Sequence, residues 1–106
     1  MNSNQHNSGL NEETIRQINS VFAAHPEIER VILYGSRAKG TYHTGSDIDL
    51  TITGEPMSLT QLARIEEELD DLLLPYKIDL SELRRIENSD LREHINRVGK
   101  TFYQKI

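Results

Sequence analysis

The chain contains no cysteine, so neither a disulfide framework nor a thiolate metal site is available to it. It has no apolar run approaching the roughly 18 residues that a membrane-spanning helix needs. Its opening residues, MNSNQHNSG, lack the basic and apolar blocks of a secretory leader, which leads to the expectation of a cytoplasmic protein without a membrane role. Basic residues are scarce as well: 12 Lys and Arg stand against 17 Asp and Glu, a formal charge of −5. Tracking nucleic-acid phosphates relies on clustered Lys and Arg, so direct nucleic-acid binding is not expected, whereas small molecules and protein partners are. A length of 106 residues suffices for one core but not for a second substrate-binding lobe beside it. An acceptor for any group transfer would have to come from elsewhere.

What is present begins with a polar stretch. Residues 1–10 hold too little apolar surface to offset the entropy of ordering, and a disordered tail is expected there, followed by one domain over residues 11–106. From Asn11, a capping residue (Asn11 or Thr14), two glutamates and the spacing of Ile15, Ile18 and Phe22 predict an amphipathic helix that stops near His25-Pro26. His25 reads as a solvated helix end. Arg30 to Tyr34 (RVILY) predicts a buried strand, Gly35 ends it, and Ser36 is placed to cap a helix of one or two turns that Gly40 stops. After turn chemistry from Thr41 to Gly45, the segment Asp47 to Thr53 alternates as a strand does, with Ile48, Leu50 and Ile52 on one face. A second amphipathic helix follows, capped by Ser58 or Thr60, with a stripe of Leu62, Ile65, Leu69, Leu72 and Leu73 and an acidic, solvated outer face. Tyr76 to Leu80 (YKIDL) is the third strand candidate. The remainder, from Glu82, has a helical pattern that ends at Gly99.

The residues able to do chemistry lie in and just after LYGSRAKGTYHTGSDIDLTIT, Leu33 to Thr53. Side chains two apart on a strand share a face, so Asp47 and Asp49 point the same way, about 7 Å apart at the backbone and free to converge at their oxygens. Asp79, lone between Ile78 and Leu80, can join them from the next strand. Three gathered carboxylates repel unless cations sit between them, and oxygen ligands without His or Cys select Mg²⁺, with Mn²⁺ as a substitute. The Gly35-Ser36 turn offers backbone N–H groups and a hydroxyl to a phosphate. Either feature alone is common and usually structural. Together they describe a two-metal site for phosphoryl or nucleotidyl transfer.

The stretch GSRAKGTYHTGSDIDL, with the lone acid of KIDL and the ending INRVGKTFY, resembles the DNA polymerase β-type nucleotidyltransferases, and within them the minimal nucleotidyltransferases (MNT domains) that pair with HEPN-domain proteins. The resemblance extends from about Asn11 to Tyr103. It implies an α/β (α+β) fold, a small mixed sheet flanked by helices, that uses two Mg²⁺ ions and ATP or another nucleoside triphosphate. It further implies transfer of NMP, AMP in the case of ATP, to a hydroxyl of a partner protein. That partner would be a HEPN toxin encoded nearby, in an assembly that could be homo- or hetero-oligomeric, and the chain would act as its antitoxin. On this resemblance Asp47 and Asp49 would bridge both metals, and Asp79 would hold the catalytic one and help deprotonate the acceptor. Gly35 and Ser36 would bind the triphosphate, with Arg37 and Lys39 as further nucleotide-binding candidates. His43 is expected in an exposed loop, Tyr34 in the core, and Tyr42 is unassigned. Two other readings stand beside this one: a non-catalytic nucleotide-binding module that neutralises a HEPN partner by binding, and a small-molecule nucleotidyltransferase of the aminoglycoside type. The second of these is disfavoured because no second substrate lobe is present.

Overall fold

The computed structural model describes residues 8–106. Within them run α1 (Glu12–Ala23), β1 (Ile28–Tyr34), α2 (Ser36–Lys39), β2 (Ile48–Gly54), α3 (Leu59–Asp70), β3 (Ile78–Glu82), a 3-10 turn (Leu83–Arg85), α4 (Ser89–Val98) and β4 (Lys100–Gln104). The strands form one sheet in the order β3-β2-β1-β4. β1 pairs antiparallel with β2 and β4, whereas β2 and β3 run parallel, so the sheet is mixed. A parallel pair needs a crossover rather than a hairpin, and α3 supplies it. This is the mixed α+β arrangement that the sequence implied.

Each long helix starts where a short polar side chain can satisfy a free amide. Asn11, rather than Thr14, accepts from the Thr14 amide, Ser58 rather than Thr60 accepts from that of Gln61, and Asn88 accepts from that of Leu91. The apolar stripes of α1 and α3, including Ile15, Ile18, Phe22, Ile65 and Leu69, then pack on one face of the sheet against Val31, Leu33, Ile48, Leu50, Ile52 and Phe102. The opposite face is only partly covered, by α4, where Ile95 meets Ile32 and Tyr34. No helix among the described residues is long and apolar enough to cross a membrane.

Several expectations need correction. Residues 1–7 of the anticipated tail lie outside the described residues, but Ser8 and Leu10 are buried, Leu10 within the main core. His25 is not a solvated helix end, since its Nε2 lies 2.8 Å from Glu68 Oε1. The segment from Glu82 is not one long helix: β3 runs through Glu82, and α4 begins only at Ser89. Glu82 can sit in the strand because its carboxylate is fully engaged. It accepts from the Met57 amide (3.2 Å), Arg84 Nε (2.7 Å) and Arg85 Nε (2.8 Å). Burial works against its charge, but the two arginines and the amide outweigh it and hold the carboxyl below its usual range. Past Gly99 the chain adds a strand, β4, that pairs with β1.

Arg37 is another residue that the fold claims. Its side chain is 3% exposed. The guanidinium lies between the rings of Tyr42 (5.2 Å) and Tyr76 (5.1 Å) and donates to the carbonyls of Ser8 and Ser46. One planar cation thereby ties the N-terminal segment, the α2–β2 loop and the approach to β3 together. A lysine has neither the plane nor the fork of donors. Arg37→Lys is therefore expected to cost about 2 kcal/mol, roughly 10 °C in Tm, as read by thermal denaturation. An unchanged Tm with weakened nucleotide binding would return Arg37 to the phosphate role.

Candidate active site

β1 ends in Tyr34, and the next residue turns the chain away from the sheet. Gly35 adopts φ 75° and ψ −157° and precedes α2. A side chain at this position would overlap the Asp49 carboxylate. Glycine is thus required for two reasons: the left-handed φ disfavours other residues, and the backbone must approach Asp49 closely. With four residues, α2 is too short for a helix dipole to count for much. The turn instead offers the first amides of α2 and the half-buried Ser36 hydroxyl.

The carboxylates come from two neighbouring strands. Asp47 immediately precedes β2 and is exposed, while Asp49 is half-buried one step inside it. The β1–β2 register sets Asp49 opposite Tyr34, and the parallel β2–β3 register sets it opposite Asp79, which is exposed. One rung along, Thr51 faces Ser81, whose hydroxyl donates to Thr51 Oγ1 at 2.9 Å. A polar ladder therefore runs across the sheet face that α1 and α3 do not cover.

This crowding changes proton affinities. Burial raises the Asp49 pKa, the charges of Asp79 and then Asp47 raise it further, and His94 and Lys77 oppose the shift. Burial also raises the pKa of the Tyr34 phenol, with Asp49 and Asp79 adding to the rise and the neighbouring Ser81 hydroxyl opposing it. Two of the aspartates singled out from sequence, Asp79 and Asp47, thus act on the third, Asp49. A hard divalent ion fits this donor set: its ligands are all oxygens, and their mutual repulsion is what a cation relieves. Their carboxylates are aligned but not converged, for among the described residues no three His, Cys, Asp or Glu groups are gathered closely enough to hold a metal.

The remaining candidates divide. Ser36 stays beside Gly35. Arg37, expected to bind nucleotide, turns inward to Ser8, Ser46 and the two tyrosines instead. Lys39 is exposed at the end of α2, and His43 is exposed in a turn closed by the Ser46 hydroxyl, which accepts from the His43 amide at 2.9 Å. Tyr34 is buried as expected, and Tyr42 finds its place against Arg37.

Sequence reasoning passed over His94. Its Nε2 accepts from the Gly35 amide at 3.2 Å, and its ring meets Tyr34 edge-on, with centroids 6.2 Å apart. A signal was available. His94 follows Leu91 by three residues and precedes Val98 by four, which places it on the inward stripe of α4.

Residues 16–105 match the family described as polymerase beta, nucleotidyltransferase. Among solved structures, a toxin–antitoxin complex with AMP-PNP contains a chain 25% identical to this one, with a TM-score of 0.69 over 91% of this chain and 75% of that one. A protein provisionally assigned as a minimal nucleotidyltransferase is 30% identical, with a TM-score of 0.64 over 87% of this chain and 96% of its own. A complex of a tri-AMPylated Shewanella oneidensis HEPN toxin with its MNT antitoxin gives a TM-score of 0.66 over 89% of this chain and 72% of that one. At 18% identity, this last likeness is one of fold. No curated protein sequence matches the chain.

The Asp49 shift has a consequence for stability. A carboxyl whose pKa is higher in the folded than in the unfolded protein favours folding in its protonated form, so stability falls as pH rises through and just above the ordinary carboxylate range. In buffer free of divalent ions, Asp49→Asn is expected to be more stable than the wild type at pH 7, with the margin shrinking as the pH is lowered into that range. Denaturant unfolding at several pH values measures this. A variant less stable than the wild type at pH 7 would show that the cluster is not repulsive.

Proposed function

The chain belongs to the polymerase β nucleotidyltransferase family, and from that membership we propose that it is an antitoxin that moves AMP from ATP to a hydroxyl of a HEPN-domain partner encoded nearby, in the cytoplasm. Membership makes nucleotidyl transfer the starting point. The likeness to the chain in a toxin–antitoxin complex with AMP-PNP supports an adenine nucleotide and a toxin partner, and the likeness to an MNT antitoxin bound to an AMPylated HEPN toxin supports the acceptor. The observation that carries the reading is the side-by-side placement of Asp49 and Asp79 on adjacent parallel strands, with Asp47 close enough to act on Asp49 and Gly35 against the Asp49 carboxylate.

In this reading Asp47 and Asp49 would hold two Mg²⁺ ions, and Asp79 would hold one of them. The ions, when bound, neutralise the triphosphate and the leaving pyrophosphate. Gly35 and Ser36 would bind the triphosphate through the backbone and the Ser36 hydroxyl, with the acceptor approaching the α-phosphorus from the open side of the sheet. The acceptor hydroxyl oxygen forms a bond to that phosphorus as the bond to the bridging oxygen breaks. Pyrophosphate departs with the electron pair, and the hydroxyl proton passes to Asp79 and on to solvent. In this reading the partner presents its own hydroxyl at this open face. Lys39, exposed at the end of α2, can meet either phosphate or an acidic surface of the partner.

One observation favours a second reading. The three carboxylates do not converge on a metal position among the described residues, as would suit a module that binds nucleotide and masks its partner without transfer. Incubation with Mg²⁺, α-labelled ATP and the HEPN protein separates the two. Transfer predicts label on the partner and its loss, by at least 100-fold, in an Asp47→Ala/Asp49→Ala variant. No label, with undiminished neutralisation by that variant, would establish the binding module.

A further inference from the structure

The Gly35 amide has one hydrogen to give, and His94 Nε2 receives it at 3.2 Å. A nitrogen that accepts cannot itself carry a proton, so the ring proton of His94 resides on Nδ1 in this arrangement. The imidazole is held from behind by Tyr34, whose ring stands edge-on to it at 80°. It also lies near enough to Asp49 that an imidazolium there would act on that carboxylate. His94 thus sits at the junction of the phosphate turn, the end of β1 and the carboxylate cluster, although it comes from α4, a helix to which the preceding mechanism assigns nothing.

We infer that His94 is a positioning residue of the phosphate turn: it holds the Gly35 amide while the turn is empty and releases it when a phosphate oxygen takes the same N–H. The inference rests on the nucleotide reading above and extends it to a residue that touches neither metal ligand nor acceptor. A buried or half-buried amide left without an acceptor costs free energy. The histidine removes that cost in the empty protein and keeps Gly35 in its left-handed conformation. The same bond becomes a competitor once a triphosphate arrives. Part of the phosphate's binding energy must go to breaking it, and the freed imidazole moves away from Gly35, remaining on the face that α4 presents to Tyr34 and Asp49.

Competition has a direction that ordinary packing lacks. A histidine that only packs α4 against the sheet leaves nucleotide affinity unchanged when replaced. A histidine that contacts the nucleotide weakens binding when lost. A latch on the amide does the reverse.

AMP-PNP titrated into the full chain without partner, followed by calorimetry and by ¹⁵N NMR of the Gly35 amide and the His94 imidazole, distinguishes these cases. In the free wild type, the Nε2 signal is expected to be that of an unprotonated nitrogen. At saturation both the Gly35 amide and the imidazole signals shift. His94→Ala binds AMP-PNP roughly 2- to 10-fold more tightly, and His94→Gln, whose amide oxygen can accept the same N–H, restores the wild-type affinity. Weaker or equal binding by His94→Ala would overturn the inference, as would an imidazole that does not respond at saturation. The wild-type NMR measurement decides the matter even if His94→Ala folds poorly. Failure of the wild type to bind AMP-PNP would remove the nucleotide reading and this inference together, whereas binding with an unmoved imidazole removes only the inference.

Discussion

Asp49 is the residue on which the candidate site depends, because the parallel register of β2 and β3 places another carboxylate, Asp79, directly beside it. Among the described residues no cation fully relieves the repulsion between the two. Lys77 and His94 oppose it without cancelling it, and the Asp49 pKa remains raised. Elsewhere the chain pairs its buried charges carefully: Glu82 has two arginines and an amide, and Arg37 has two carbonyls and two rings. Against that background, an uncompensated acidic pair at the edge of the sheet is what a site awaiting a cation and a phosphate looks like.

The surroundings keep this pair in place. Gly35 packs against the Asp49 carboxylate in a left-handed conformation that strains any side chain, so the Gly35-Ser36 turn and that carboxylate lie close together. Tyr34 closes the space beneath them, its ring packed with Ile32 and Ile95 and its hydroxyl near Ser81 and the two acids. Because α1 and α3 cover only the opposite face of the sheet, the acidic edge stays open to solvent. An open site on a small domain suits an acceptor brought by another protein.

Much of this was legible in the residues. Period-two alternation in DIDLTIT marked β2, although the strand begins at Ile48 and Asp47 lies just before it, and Gly-Ser before a short helix marked the turn. The lone acid in KIDL predicted its strand, although β3 begins two residues later than Tyr76 and continues through Glu82. What escaped reading depended on partners distant in sequence. Arg37 looked like a phosphate ligand because its local neighbours are site residues, whereas its actual contacts, Ser8, Ser46 and Tyr76, are set by tertiary packing. β4 holds the strand formers Thr101, Phe102 and Tyr103 but is only five residues long, and what fixes it is its pairing with β1. His94 lay in plain view on the stripe of α4, but its partner, the Gly35 amide, stands 59 residues away.

The proposed transfer requires that Asp47, Asp49 and Asp79 form one cation site facing the Gly35-Ser36 turn. A thermal melt of the protein with increasing Mg²⁺, alone and with AMP-PNP, tests it most directly. Ligands that bind only the folded state raise Tm by linkage. Mg²⁺ is expected to raise Tm, AMP-PNP to add to the rise, and Asp49→Asn to abolish the Mg²⁺ effect. A wild-type Tm indifferent to both ligands would contradict the requirement.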